Sequence, residues 1–159
     1  MKYVVLAGLA VGLAAGCAQD GGMGGMSDDP VAARKATMKG FGGNMKAIGD
    51  FVKENKGSAA DVAARAKAMV ASADKLKGMF PAKTSMEDMA GKTRAKANIW
   101  TQAAAFDQAV EIFKVYAGRL AEAAETGNKA SIGAAMGALG KSGCGGCHSD
   151  FRGPEPKST

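Results

Sequence analysis

The stretch RAKANIWTQAAAFDQAVEIFKVYAGRLAEAAE, residues 94–125, decides the fold. Ile99, Ala103, Phe106, Val110, Phe113, Ala117 and Leu120 recur at alternating spacings of three and four. That period places them on one face of an α-helix, with Gln108, Glu111, Lys114 and Arg119 elsewhere around it. A helix with one apolar face is unstable alone and has to bury that face against other elements. Thr126-Gly127-Asn128 ends it.

The rest of the chain supplies the partners. Asp28-Asp29-Pro30 is an acidic cap followed by proline at the first helical position, and a helix is expected from there to about Lys53. Val31, Met38, Met45 and Val52 repeat every seven residues along it, with Phe41 and Ile48 between them, which makes a seam. Asn55-Lys56-Gly57 closes that helix. Ser58, with Asp61 three positions on, then opens a second one that should run to Pro81 and bury Val62, Met69, Val70, Ala73, Leu76 and Phe80. Residues 82–91 read as a polar connection. A last helix starts near Lys129, carries Ile132, Met136, Leu139 and Phe151, and stops before Pro154 and Pro156. Four helices with short connections predict an all-α, antiparallel up-down-up-down four-helix bundle over residues 30–153, with a tail at 154–159. Gly133, Gly137, Gly140 and Gly143 fall on one face of the last helix, where they allow a neighbour to approach closely.

The N-terminus reads differently. Lys2 precedes an apolar run from Tyr3 to Gly16, too short to span a bilayer and suited to the core of a signal peptide. Leu13-Ala14-Ala15-Gly16-Cys17 resembles a bacterial lipoprotein box, which makes residues 1–16 a signal peptide and Cys17 a lipidation site. The alternative is an ordinary secretory signal cut after Ala18. Residues 17–29 form a Gly-rich tether. Both readings predict an exported, periplasmic protein; the first adds a lipid anchor in a membrane.

With 21 Lys and Arg against 15 Asp and Glu, the formal net charge is +6. A mildly basic surface favours acidic protein partners or anionic headgroups. No basic stripe with interleaved aromatics appears, which argues against nucleic acid.

Chemistry is concentrated in Cys144-Gly145-Gly146-Cys147-His148. C-x-x-C-H is the attachment signature of a c-type haem, in which each thiol forms a thioether and the histidine binds iron. His148 is the only histidine in the chain. Helical spacing puts the three groups on one face. A zinc site would need further Cys or His ligands, a thioredoxin-like pair would need strands, and a disulfide across so short a loop adds little stability. One covalently bound haem c, inside one end of the bundle, is the expected cofactor.

A four-helix chain with this motif near its C-terminus resembles the class II c-type cytochromes, the family of cytochromes c′ and their low-spin, six-coordinate relatives. Cytochrome c′ is itself an up-down-up-down bundle, so topology and resemblance are not independent. The likeness rests on Arg34-Lys35-Ala36-Thr37-Met38-Lys39, Met79-Phe80-Pro81, Ile99-Trp100-Thr101, Phe106 and the run from Cys144 to Arg152. It implies that Arg34, with Lys35 beside it, lies against the haem propionates. Arg34 sits on the apolar seam and needs a counter-charge there, unless it reaches solvent at the bundle end. The resemblance places Met38 opposite His148, as sixth iron ligand or as packing. It sets Arg152 beside the proximal imidazole, where the other reading is a cation on the helix C-terminus. Trp100 is expected in the core. Homodimers through the first two helices are a further implication.

Two functions follow as expectations. A closed iron between His148 and Met38 suits a one-electron carrier serving redox partner proteins. A five-coordinate iron suits binding of nitric oxide or carbon monoxide. No nucleophile–base pair stands out, so no dedicated enzyme is expected.

Overall fold

A computed structural model describes residues 29–155. The expected signal peptide, the expected lipidation site Cys17, the expected tether up to Asp28 and the last four residues of the tail lie outside the described residues. Helix α1 spans Pro30–Glu54, α2 Ala59–Ala73, α3 Asn98–Thr101, α4 Ala103–Glu125, α5 Lys129–Ala138 and α6 Gly146–Phe151. Leu76–Met79 form a 3₁₀ turn after α2, and Leu139–Gly145 a π-helical turn between α5 and α6. α1, α2, α4 and the α5–α6 run are the four rods of the predicted bundle. α1 packs on α2, α2 on α4, α4 on the last rod, and that rod back on α1.

The helix starts are where the capping residues put them. Asp29 Oδ1 accepts from the Val31 N–H at 2.8 Å, and Ser58 and Asp61 form a reciprocal capping box. Asn55, at φ 56°, ends α1. The core is the predicted one in outline: Phe41, Ile48, Val62, Met69, Val110, Phe113, Leu120, Ile132 and Leu139 are buried. Met38, Met45 and Val52 are only partly buried on its edge. No helix among the described residues is long and apolar enough to cross a membrane.

Three features depart from the expected pattern. The second helix ends at Ala73 rather than at Pro81. The chain tightens into the 3₁₀ turn at Leu76–Met79, and Phe80, which precedes proline, leaves the helical region at φ −121°. The third helix begins at Ala103 rather than Arg94. Residues 94–96 instead lie extended against the chain end: Ala95 bridges Arg152, the Lys96 N–H donates to Phe151 O at 3.1 Å, and the Gly153 N–H donates to Arg94 O at 2.7 Å. After the short turn of α3, Gln102 breaks the helix, and Ala103, in the first turn of α4, is exposed although it was expected to be buried.

The last rod is the third departure. At about 100° per residue, a regular helix would carry Phe151 about 120° around the axis from Leu139. Both are buried. The wider π turn takes up the difference, because its i→i+5 bonding absorbs about one extra residue. Gly143 lies within it, and a Cβ there would sit 2.8 Å from Leu139 Cδ1 and 3.5 Å from Phe113 Cα. At Gly137 a Cβ would meet nothing within 4 Å. Of the four glycines on that face, Gly143 is the one that close packing requires.

Candidate functional site

A cleft of about 580 Å³ opens at the end of the bundle where α1 begins and α6 finishes. Phe80, Ile99, Phe106 and Phe151 form its apolar wall. Phe106 meets Phe80 and Phe151 edge to face, with ring centres 4.9 and 5.3 Å apart. Trp100 stands behind them, partly buried, donating from Nε1 to Phe80 O at 3.0 Å. The tryptophan thus supports the wall through a hydrogen bond as well as by packing.

The sequence-predicted residues converge here. Arg34, Lys35, Met38, Cys147, His148 and Arg152 all line the cleft. Cys144, in the π turn, is half-buried against the adjoining core. Burial pushes the Cys144 thiol up, and burial, with Cys144 and Asp150 close by, pushes Cys147 up to about 11. Both thiols are protonated at neutral pH. Burial, followed by the charges of Arg152 and Arg94, holds the His148 imidazole below its ordinary value. Its neutral form presents a nitrogen lone pair to a metal. Arg152 therefore bears on His148 electrostatically, in keeping with the place beside the imidazole.

Arg34 is buried, at 4% exposure. Its guanidinium donates to hydroxyl and carbonyl oxygens. Nη1 donates to Thr84 Oγ1 at 3.0 Å and, at 3.5 Å, to Met79 O. Nη2 donates to Thr84 O and to Thr93 Oγ1, the latter at 2.7 Å. The group also stacks over Phe80, 5.0 Å from the ring centre. Desolvation lowers its pKa, with Asp29 partly offsetting the effect. Nε makes no hydrogen bond among the described residues, so a propionate would find one N–H waiting and four already engaged. Thr84 and Thr93 were not legible as site residues in the sequence, and Phe80 was legible only as a buried residue and as part of the family likeness. The two threonines lie 50 and 59 positions from Arg34, in and just after a connection whose only signal is its polarity.

The site suits a haem by size and by donors. Its volume falls within the range of cofactor clefts, and its wall is aromatic. Two thiols and a neutral imidazole lie together on the last rod, while a thioether and three cations, Arg34, Lys35 and Lys39, come from α1. No cluster of three or more His, Cys, Asp or Glu arranged to hold a bare metal ion occurs among the described residues.

A helical bundle with a C-x-x-C-H motif on its last rod, beside such a cleft, defines a c-type cytochrome. The family model described as Cytochrome C′ matches residues 29–152. A cytochrome c′ from Rhodospirillum rubrum is 40% identical over 129 residues, covering 78% of this chain and 84% of that protein. The solved cytochrome c′ of Rubrivivax gelatinosus aligns with a TM-score of 0.65 at 25% identity, over 78% of this chain and 94% of its own. Another solved cytochrome c′, described as having a ligand-controlled dimer dissociation, aligns at 0.68 and 26% identity, over 79% and 95%. The chain belongs to the cytochrome c′ family, whose members carry one covalently bound haem c.

Proposed function

We propose that the protein is a one-electron carrier of the periplasm, held to a membrane by a lipid on Cys17. The observation that carries this reading is that Met38 and His148, from the first and last rods, line one cleft. The haem, when bound, supplies an iron that alternates between ferric and ferrous states. The chain does the rest. Cys144 and Cys147 tether the group, and His148 offers its neutral imidazole. Met38 offers a thioether from α1, and a Met/His pair raises the potential into the range of electron transfer. Arg34 and Lys35 supply positive charge for the propionates. Phe80, Phe106 and Phe151 keep water from the buried side.

The signal-like run before Cys17 supports export, and the lipoprotein-type box supports the anchor. Optical spectra of the oxidised and reduced protein, with and without carbon monoxide, test the central claim. The expected result is a low-spin spectrum that the gas leaves unchanged. For the anchor, the wild type should partition into detergent while Cys17→Ala stays in water or remains unprocessed. A mature chain beginning at Gln19 would end that part.

A second reading has its own support. The relatives matched are cytochromes c′, and one of them is described as dissociating its dimer under control of a ligand. Here Met38 would be packing, the iron would be five-coordinate, and nitric oxide or carbon monoxide would bind opposite His148. A high-spin spectrum that shifts with carbon monoxide selects it.

A further inference from the structure

His148 stands on a short helix with little local support. α6 has six residues, and it follows a π turn that contains Gly140, Gly143 and Gly145. Glycine is a poor helix former, so the sequence around the motif does little to hold this stretch in register. A helix end also leaves its last four carbonyls without partners inside the helix. In α6 these belong to His148 and the three residues after it, Ser149, Asp150 and Phe151.

All four carbonyls are satisfied, three of them by one distant segment. His148 O accepts from the Arg152 N–H at 3.2 Å. Lys96 Nζ donates to Ser149 O at 3.1 Å and to Asp150 O at 2.9 Å. Asn98 Nδ2 adds a second bond to Asp150 O at 3.0 Å. The Lys96 N–H donates to Phe151 O at 3.1 Å. Just beyond the helix, the Gly153 N–H donates to Arg94 O and Arg94 Nε to Gly153 O, both at 2.7 Å. Lys96 makes no ion pair among the described residues, and its ammonium lies at the negative end of the helix instead. Asn98 is held there at a cost. Its Oδ1 is buried and accepts no hydrogen bond among the described residues, yet the reversed amide would set oxygen against Asp150 O.

We propose that Lys96 and Asn98 are positioning residues for the axial histidine. By holding the carbonyls of Ser149 and Asp150, they fix where the last rod ends and so how the His148 ring meets the iron. The role rests on His148 being the axial ligand, which both readings of the function share. Groups outside a metal's own ligands commonly set the orientation of those ligands. Here the anchoring acts on the backbone within two residues of the histidine. Neither Lys96 nor Asn98 lines the cleft, so their effect passes through the helix rather than through contact with the haem.

The test compares four haem-loaded proteins: wild type, Lys96→Met, Asn98→Leu and, as a control in α2, the core truncation Val62→Ala. In a ferric haem protein the shifts of the haem methyl protons follow the orientation of the axial imidazole plane. Lys96→Met should displace these resonances and Asn98→Leu should displace them less. Val62→Ala should leave them in place while lowering the melting temperature. Amide exchange at residues 149–152 should quicken about tenfold in Lys96→Met. Methyl resonances of Lys96→Met that coincide with those of wild type overturn the positioning role, whatever happens to stability. Equal displacement in Val62→Ala overturns it too, because the shifts would then report general loosening. If Lys96→Met yields no folded haem protein, Asn98→Leu decides alone, and resonances at the wild-type positions sink the role. A wild type lacking imidazole ring protons among its paramagnetically shifted signals would instead remove His148 as the ligand, and the positioning role with it.

Discussion

Arg34, on the first helix, donates a 2.7 Å hydrogen bond to Thr93 Oγ1, 59 positions further along the chain. That bond fastens the start of α1 to the connection that forms one wall of the cleft. Arg34→Lys would lose the planar fork that serves Thr84, Thr93 and Met79 together. The expected cost is about 2–3 kcal/mol in urea unfolding, since buried hydrogen bonds to a charged group are broken. Thr93→Val should cost about 1 kcal/mol, removing one acceptor and leaving the others. Equal stability of Arg34→Lys and wild type would show that the guanidinium is only a visitor to the cleft.

Met38→Leu separates the two functional readings. If Met38 holds the iron, the variant turns from six-coordinate low spin to five-coordinate high spin and gains carbon monoxide binding. It should also melt at a lower temperature, because the ligand pair joins the first rod to the last through the metal. An unchanged spectrum would make Met38 a packing residue.

Cys144 and Cys147 differ in surroundings, Cys147 facing the cleft and Cys144 lying against the core beside it. Acid–acetone extraction should leave the haem on the wild-type polypeptide. Cys144→Ala and Cys147→Ala should each keep a single thioether, and the double variant should release all haem to the solvent. Mass measurement of the extracted chain reads the result directly.

Gly143→Ala should destabilise by about 1–3 kcal/mol, since the new methyl group would press on Leu139 and Phe113. Gly137→Ala, with open space around it, should stabilise by about 0.5–1 kcal/mol through helix propensity alone. Thermal melts of the two variants should therefore move in opposite directions.

The capping box gives a pH signature. Hydrogen bonds from Ser58 hold the Asp61 carboxyl below its usual value. A depressed carboxylate adds stability above its unfolded pKa, of about 3.9, and that contribution is lost as pH falls through the folded value. Asp61→Asn should be less stable than wild type at pH 7, with the gap closing in strong acid. A constant gap across that range would mean the ionised form contributes nothing.

The bundle was readable because its apolar period and its caps are local signals: Ser58 with Asp61, Asp29 with Pro30, and the run from Phe106 to Leu120. The haem motif was readable because its chemistry sits within five consecutive residues. What escaped the sequence depends on distant contacts. Residues 94–97 have helix-forming composition, yet Ala95 and Lys96 pair with Arg152 and Phe151 at the end of α6. Arg34 was legible as a charge needing company, but Thr84 and Thr93 become its neighbours only when the connection folds across α1. Lys35 and Arg152 were legible through the family likeness, whereas Lys92 was legible only as net charge. Three chain segments have to meet before these cations line one cleft.

The π turn at Leu139–Gly145 also bears on how this chain could change length. It already holds about one residue more than a regular helix would need to aim both Leu139 and Phe151 inward. A deletion inside it, of exposed Lys141 for example, would let the rod run as an unbroken α-helix with His148 still presented to the cleft. A deletion in α4, which has no such slack, would swing Phe106 and Leu120 to opposite sides of their rod. Of these two rods, the one that carries the motif is thus the more tolerant of a lost residue.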